Sequence, residues 1–399
     1  MRLSLLSLLS LLSLLSPAGS GTPEPGQVSQ LVTDFGLRLF RAALSPRGDT
    51  NVALAPVGVT SLLVALQVAT AGRGRRQLEE ATGFSIDAPG VSAELRGLLA
   101  ALRGPGHALE VARGLFVARG VTLRRHFVTR LRRALGPPLS LGALEPGAGE
   151  GARGGVNAWA RQRTRGLVTG LVPPGALGPR SRLVLACALS FGGLWGVPVS
   201  PEATRARPFL RPDGTEVPVP MVALAGRFRC GDLESPSGVP FTVAEVPYAG
   251  GQVSLLLAAP LARAVPIVAL SRLLDARAVT AWVTRLRPAP RLLLLPRFSL
   301  ETSWDLRGPL EALGVRDPFD PESADFTPMT GEAHLALGPV LHKVRLEVTE
   351  NGTAAASASA AVVYSRMAPP EILMDRPFLF LIRHRPTGTV LFVGQVTEP

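Results

Sequence analysis

The chain is poor in the residues that build covalent or metal-held scaffolds. Its 399 residues contain two cysteines, Cys187 and Cys230. Two cysteines allow one disulfide in an oxidising compartment but make no framework, and a chain this long needs no staples. Five histidines (107, 126, 334, 342 and 384) are scattered, and none stands at metal-ligand spacing from another His or Cys. There is no Gly-x-Ser-x-Gly, no His-Glu-x-x-His, no Cys-x-x-Cys and no phosphate loop. These absences argue against an enzyme with its own nucleophile, and no metal or cofactor is expected. Gly149-x-Gly151-x-x-Gly154 matches a dinucleotide fingerprint. It lacks a hydrophobic strand before it and an acidic residue after it, so it reads as a surface loop.

Lysine is nearly missing as well. Lys343 is the single one, so arginine carries almost all of the positive charge behind a net +12. A basic surface suits polyanions or membrane surfaces. Arg, Ala, Gly and Pro are abundant together, which a biased nucleotide composition would also produce. No nucleic-acid partner is inferred from the charge.

No segment has about 18 uninterrupted apolar residues, so no membrane span is expected. The Leu/Ser run from Leu3 to Leu15, after Met1-Arg2 and before Ser16-Pro17-Ala18-Gly19-Ser20, reads as a secretory signal peptide cut after Ser20. The mature protein is then secreted and extracellular, from residue 21 to 399.

What is present in quantity is apolar: 46% of the chain. That is ample for a large core. Val28, Leu31, Val32, Phe35, Leu39 and Phe40 recur at helical spacing within 26–44. Residues 57–70 predict a buried helix, 121–135 an arginine-rich helix stopped by Gly136-Pro137-Pro138, and Asn157 to Leu171 another. Residues 145–154 read as a Gly-rich loop. Strands are expected at 114–117, 182–191, 241–246, 252–259, 291–299, 341–349, 378–383 and 389–395. Helices come first and strands later, without regular alternation, so the fold class is α+β in one domain.

The C-terminal stretch is the most informative. Glu350-Asn351-Gly352-Thr353-Ala354-Ala355-Ala356-Ser357-Ala358-Ser359 is a run of small residues after an acidic one. Arg366-Met367 follows, then Asp375-Arg376-Pro377-Phe378-Leu379-Phe380 and Leu391-Phe392-Val393-Gly394. By composition alone, residues 354–361 suit a flexible linker. The hydrophobic hairpin after them and the strand before them suit bait for a trypsin-like protease tethered to a sheet.

These C-terminal residues resemble the serpin superfamily. The likeness extends to Asp34-Phe35-Gly36, Asn51-Val52, Gly58-Val59, Asn157-Ala158-Trp159, Arg165-Gly166, Phe191-x-Gly193-x-Trp195, Pro218-Val219-Pro220-Met221, Leu295-Pro296-Arg297-Phe298 and Pro386-Thr387-Gly388-Thr389. It therefore covers essentially all of residues 21–399. The resemblance implies a serpin fold with a large central mixed β-sheet, two smaller sheets, eight or nine helices and an exposed reactive-centre loop at about 350–371. It implies a monomeric, single-use inhibitor of trypsin-like serine proteases, with tissue and urokinase plasminogen activators as targets. Arg366-Met367 would be the reactive bond. Glu350, Gly352, Thr353, Ala354, Ala355 and Ala356 would form the loop hinge. His342, Arg297 and Trp195 would govern sheet opening, with Glu350 and Arg297 as an ion pair. Glu371 would be a protease exosite. Vitronectin and heparin-like glycosaminoglycans are further implied partners. The arginines at 73, 75 and 76, or at 124, 125, 130, 132 and 133, are candidates for the polyanion. Ala55 and Cys187 replace residues that are usually Ser and Asn where the sheet opens. Asn351-Gly352-Thr353 is also a glycosylation sequon inside the hinge. Two alternatives stand beside this reading: a non-inhibitory serpin that binds or carries, and an inhibitor mainly of thrombin-like proteases.

Overall fold

The structure is a computed structural model and describes residues 26–44, 48–101, 107–136, 139–144, 149–178, 181–197, 199, 201–332, 334–350 and 369–399. Among these the helices are α1 (Gln27–Leu44), α2 (Pro56–Ala69), α3 (Gly72–Thr82), α4 (Val91–Ala101), α5 (Arg125–Leu135), α6 (Glu150–Arg163), α7 (Val268–Ser271), α8 (Ala276–Arg285) and α9 (Arg307–Ala312). The strands are β1 (Val52–Leu54), β2 (His107–Ala118), β3 (Leu139–Leu144), β4 (Leu183–Gly193), β5 (Arg205–Leu210), β6 (Glu216–Glu234), β7 (Pro240–Pro247), β8 (Val253–Pro260), β9 (Arg287–Pro296), β10 (Phe298–Asp305), β11 (Val340–Val348), β12 (Glu371–Leu373), β13 (Phe378–His384) and β14 (Val390–Val396).

Five strands form a mixed sheet in the order β10-β11-β4-β2-β3. Its central pair is β11 and β4, which run parallel from Val340 opposite Leu185 to Leu346 opposite Phe191. Their flanking neighbours, β10 and β2, are antiparallel to them. The remaining nine strands follow the path β1-β14-β13-β8-β7-β6-β9-β12, with β5 on β6. The two smaller sheets expected from sequence are thus continuous through β6. That 19-residue strand pairs with β5 and β9 along its first part and with β7 along its end.

Alternation along β4 explains how the five-stranded sheet is covered. Leu185, Cys187 and Leu189 belong to the main core, whereas Val184, Ala186 and Ala188 belong to a second cluster with Ala152, Val156 and Ala160 of α6. α2 closes the first face and α6 the second. Every residue of α2 is buried, so it shows no polar stripe. Pro56 opens it, where the missing N–H costs no helical bond. Gly58 is required by close packing on β4. A Cβ there would lie 2.7 Å from Leu189 Cδ1 and 2.8 Å from Cys187 Sγ.

The sequence reading of 145–154 as a loop is corrected by α6, which starts at Glu150. Glu150 pairs with Arg153 one turn on, and Ala152, Val156 and Ala160 bury one face. This pattern outweighs the low helix propensity of Gly151, Gly154 and Gly155. The same helix ends at Arg163 rather than near Leu171, because Arg165 and Gly166 take positive φ. The arginine-rich helix likewise begins later than its pattern suggested, at Arg125, and is closed after Leu135 by Gly136 with φ 61°.

Candidate functional site

The C-terminal end of β11 delivers Glu350 to one end of the β4–β11 seam. Its Oε1 accepts a hydrogen bond from Thr204 Oγ1 at 3.0 Å and lies 3.8 Å from Arg297 Nη1. Glu350 is 15% exposed and Arg297 53%, so the pair is unequal: an enclosed carboxylate and a largely solvated guanidinium. Solvent screens such a contact. The hydroxyl of Thr204 is the firmer tether.

Trp195 closes the same end. Its indole Nε1 donates to the carbonyl of Thr349 at 2.9 Å, immediately before Glu350. The ring stacks on Tyr248, with centroids 5.1 Å apart and planes 7° from parallel. Arg297, Glu350 and Trp195 are therefore brought together, with Thr204, Thr349 and Tyr248 as partners. Sequence reasoning passed over those three, and nothing in their local pattern marks them.

His342 lies further down the seam. It is fully buried, directly opposite Cys187 on β4 and Trp304 on β10. Its Nε2 accepts the backbone N–H of Ala55 at 3.1 Å, so Nδ1 carries the ring proton. Nδ1 is buried and has no hydrogen-bond partner among the described residues. Burial pushes the His342 pKa down to about 3. On the α2 side, Ser61 Oγ accepts from the buried guanidinium of Arg113 at 3.0 Å. Cys187 and Cys230 are both buried free thiols. Burial pushes the Cys187 thiol up to about 12, with only a partial counter-effect from Arg113.

Glu371 begins β12, which runs parallel to β9 with Glu371 opposite Leu292. Its Oε2 lies 3.4 Å from Arg207 Nη1, and both side chains are about two-fifths exposed. The reactive-bond candidates Arg366 and Met367 lie outside the described residues. So do Asn351, Gly352, Thr353, Ala354, Ala355 and Ala356. The structure places only the two ends of this segment, Glu350 at the seam and Pro369 just before Pro370, whose carbonyl accepts from Leu292 of β9.

A family model described as "Serpin (serine protease inhibitor)" matches residues 30–399. The chain belongs to the serpin family. It is 41% identical over 377 residues to "Plasminogen activator inhibitor 1" of Sus scrofa, covering 93% of this chain and 92% of that one. It is 33% identical over 379 residues to "Glia-derived nexin" of Homo sapiens, covering 94% of each. Among solved structures, native protease nexin-1 with heparin superposes with a TM-score of 0.86 at 31% identity, over 94% of this chain and all of that one. Uncleaved ovalbumin superposes with a TM-score of 0.84 at 23% identity, over 93% of this chain and all of that one, a likeness of fold alone. The serpin fold expected from sequence is borne out. As a member of a protease-inhibitor family, this chain is not an enzyme.

Proposed function

We propose that this serpin is a secreted, monomeric suicide inhibitor of trypsin-like serine proteases, with tissue and urokinase plasminogen activators as its targets. The observation that carries the mechanism is the parallel β4–β11 pair. A strand entering between two parallel neighbours can be antiparallel to both. The segment after Glu350 continues β11, so folding back on it gives that direction by a simple hairpin. The 41% identity to plasminogen activator inhibitor 1 supports the choice of targets.

On this reading Arg366 enters a protease pocket holding a carboxylate, where the guanidinium fork is well matched. Attack by the protease serine breaks the Arg366–Met367 amide. It leaves an ester between the serine oxygen and the Arg366 carbonyl, while the freed Met367 amine takes the proton. The released strand then enters the seam. Residues 353, 355, 357, 359, 361 and 363 share one face and are Thr, Ala, Ser, Ser, Ala and Val. Small side chains suit passage beneath α6, where the neighbouring β4 residues are Ala186 and Ala188. Residues 353–366 extend about 46 Å as a strand, enough to carry the protease across the molecule. Distortion of its oxyanion hole would then stop deacylation. Gly352 supplies the hinge freedom, and Glu350, Arg297, Trp195 and His342 govern opening of the seam.

Residues 1–20 act as the leader and 21–399 as one serpin domain in this proposal, with Asn351 as a glycan acceptor. Heparin-like chains are a proposed partner of α5 rather than α3. Arg73 is held by Asp317, and Arg75 by Glu79 and Asp87. Among the described residues, Arg124, Arg125, Arg132 and Arg133 pair with no carboxylate. Vitronectin is proposed at the face carrying exposed Arg119.

The deciding experiment is incubation with urokinase, denaturing electrophoresis and mass mapping. A covalent band near the summed mass, cut after Arg366, supports suicide inhibition. Cleavage there without that band makes the chain a substrate and favours a binding or carrier role. Faster complex formation with thrombin than with either plasminogen activator moves the target assignment.

A further inference from the structure

A cavity of about 430 Å³ lies between the segment 86–92 and α5, away from the β4–β11 seam. That volume is within the range of small-ligand sites. Its apolar lining comes from Val68, Ile86, Ala88 and Ala134, of which Val68, Ile86 and Ala134 are almost fully buried. Arg130, Arg133 and Asp87 supply its charged lining.

The charges can be balanced one by one. Asp87 accepts from Arg75 Nη2 at 2.7 Å and also from Arg130 Nη2. Arg75 is shared with Glu79 at 2.9 Å. Two guanidinium groups and two carboxylates therefore cancel. The remaining charge is Arg133. Its backbone carbonyl accepts from Arg96, and among the described residues its guanidinium meets no acceptor. It is exposed at the last turn of α5. One uncompensated cation beside an apolar wall defines a ligand: an apolar body that fills the cavity and a single anionic head for the guanidinium fork. A dianion would exceed the free charge, and a cation would face Arg133 unpaired.

We propose that this cavity binds a medium-chain organic monocarboxylate, with the head on Arg133 and the body against Val68, Ile86 and Ala134. The site is independent of the inhibitory reading. It shares Arg133 with the proposed heparin surface but differs in needing that guanidinium alone, whereas a polysulfated chain would use the exposed arginines along α5 together.

The test is calorimetric titration of the intact protein with octanoate, with octanol as the uncharged body and with sodium sulfate as the bare anion. Octanoate should bind at one site, at least tenfold more tightly than octanol or sulfate. Arg133→Glu should weaken it at least tenfold, and Thr129→Trp, at the cavity lining, should block it. Arg132→Glu lies outside the lining and should leave octanoate unchanged while weakening heparin. Circular dichroism of each variant separates loss of the site from loss of the fold. Absence of octanoate binding at millimolar concentration overturns the proposal. So does equal weakening by Arg132→Glu and Arg133→Glu, which marks a diffuse charge effect, or equal binding of octanol, which marks a greasy surface without a head-group site.

Discussion

His342 on β11 and Cys187 on β4 stand directly opposite each other in the parallel seam, both fully buried. The backbone N–H of Ala55 holds one histidine nitrogen, and the other has no partner among the described residues. An unsatisfied buried polar group costs about 1–3 kcal/mol. The closed seam thus carries a penalty at its centre. A strand entering the seam would part these two residues, so the penalty lies where the proposed opening would occur.

Acid sensitivity follows from His342. Burial lowers its pKa to about 3, while the unfolded chain returns it to the ordinary 6.5. Between those values the unfolded state binds a proton that the folded state refuses. Stability is therefore full above about pH 6.5 and falls as pH drops toward 3. Each unit of full linkage is worth about 1.4 kcal/mol. His342→Gln, whose amide oxygen can still accept from Ala55, should flatten this limb between pH 6.5 and 5. Urea midpoints across that range check it. Superimposable profiles for the two proteins would count against the assignment.

Cys187 should report how often the seam opens. With its thiol pushed up to about 12, only roughly one molecule in ten thousand holds a thiolate at pH 8. Labelling by iodoacetamide also needs access to a residue with no exposed surface. Mapped alkylation of Cys187 should be at least a thousandfold slower in the native protein than in urea. Rapid native labelling would mean that the closed seam is not the resting state in solution.

Much of the fold was legible because its patterns are strong. α1, β4, β11 and the β13–β14 hairpin follow runs whose periods leave one reading. β6 was largely missed because Pro218, Pro220, Gly226 and Gly231 break its pattern, and its pairing with β5, β7 and β9 is set by residues far along the chain. α3 was hidden by three charged and two glycine residues in its first turns, and its packing residues Leu78 and Ala81 come late. At the site, Arg297, Glu350, Trp195 and His342 could be named from resemblance. Thr204 and Tyr248 could not, because a hydroxyl just before β5 and a ring just after β7 meet the seam only through the tertiary fold.

Glu350→Ala should shorten the active lifetime. The carboxylate ties the chain just after β11 to Thr204 and Arg297, outside the seam. A hydrogen bond to a charged group contributes about 1.5–3 kcal/mol. The half-exposed ion pair adds about 0–1 kcal/mol after screening. Losing both lowers the cost of moving that segment inward. The half-life of inhibitory activity at 37 °C should fall about fivefold or more, since each 1.4 kcal/mol is about tenfold. Arg297→Ala should have the smaller effect. An unchanged half-life for Glu350→Ala would remove this contact from the control of insertion.

Arg207→Ala should raise the association rate with proteases whose rim is basic. Glu371 is the exposed carboxylate next to the loop end at Pro369, and Arg207 holds it at 3.4 Å. While that pair is formed, an approaching cationic loop meets a neutralised carboxylate and a competing guanidinium. Removing the arginine frees the charge and removes a like-charge repulsion, so steering improves without a new contact. Stability should change by about 0–1 kcal/mol, because both partners are well exposed. Stopped-flow association with urokinase should show a gain of about twofold to fivefold at low ionic strength. The gain should vanish near 1 M salt, where the Debye length falls to about 3 Å. Glu371→Ala should remove the advantage of the Arg207 variant. If the double variant keeps the faster rate, Glu371 has no part in steering and the gain comes from Arg207 alone.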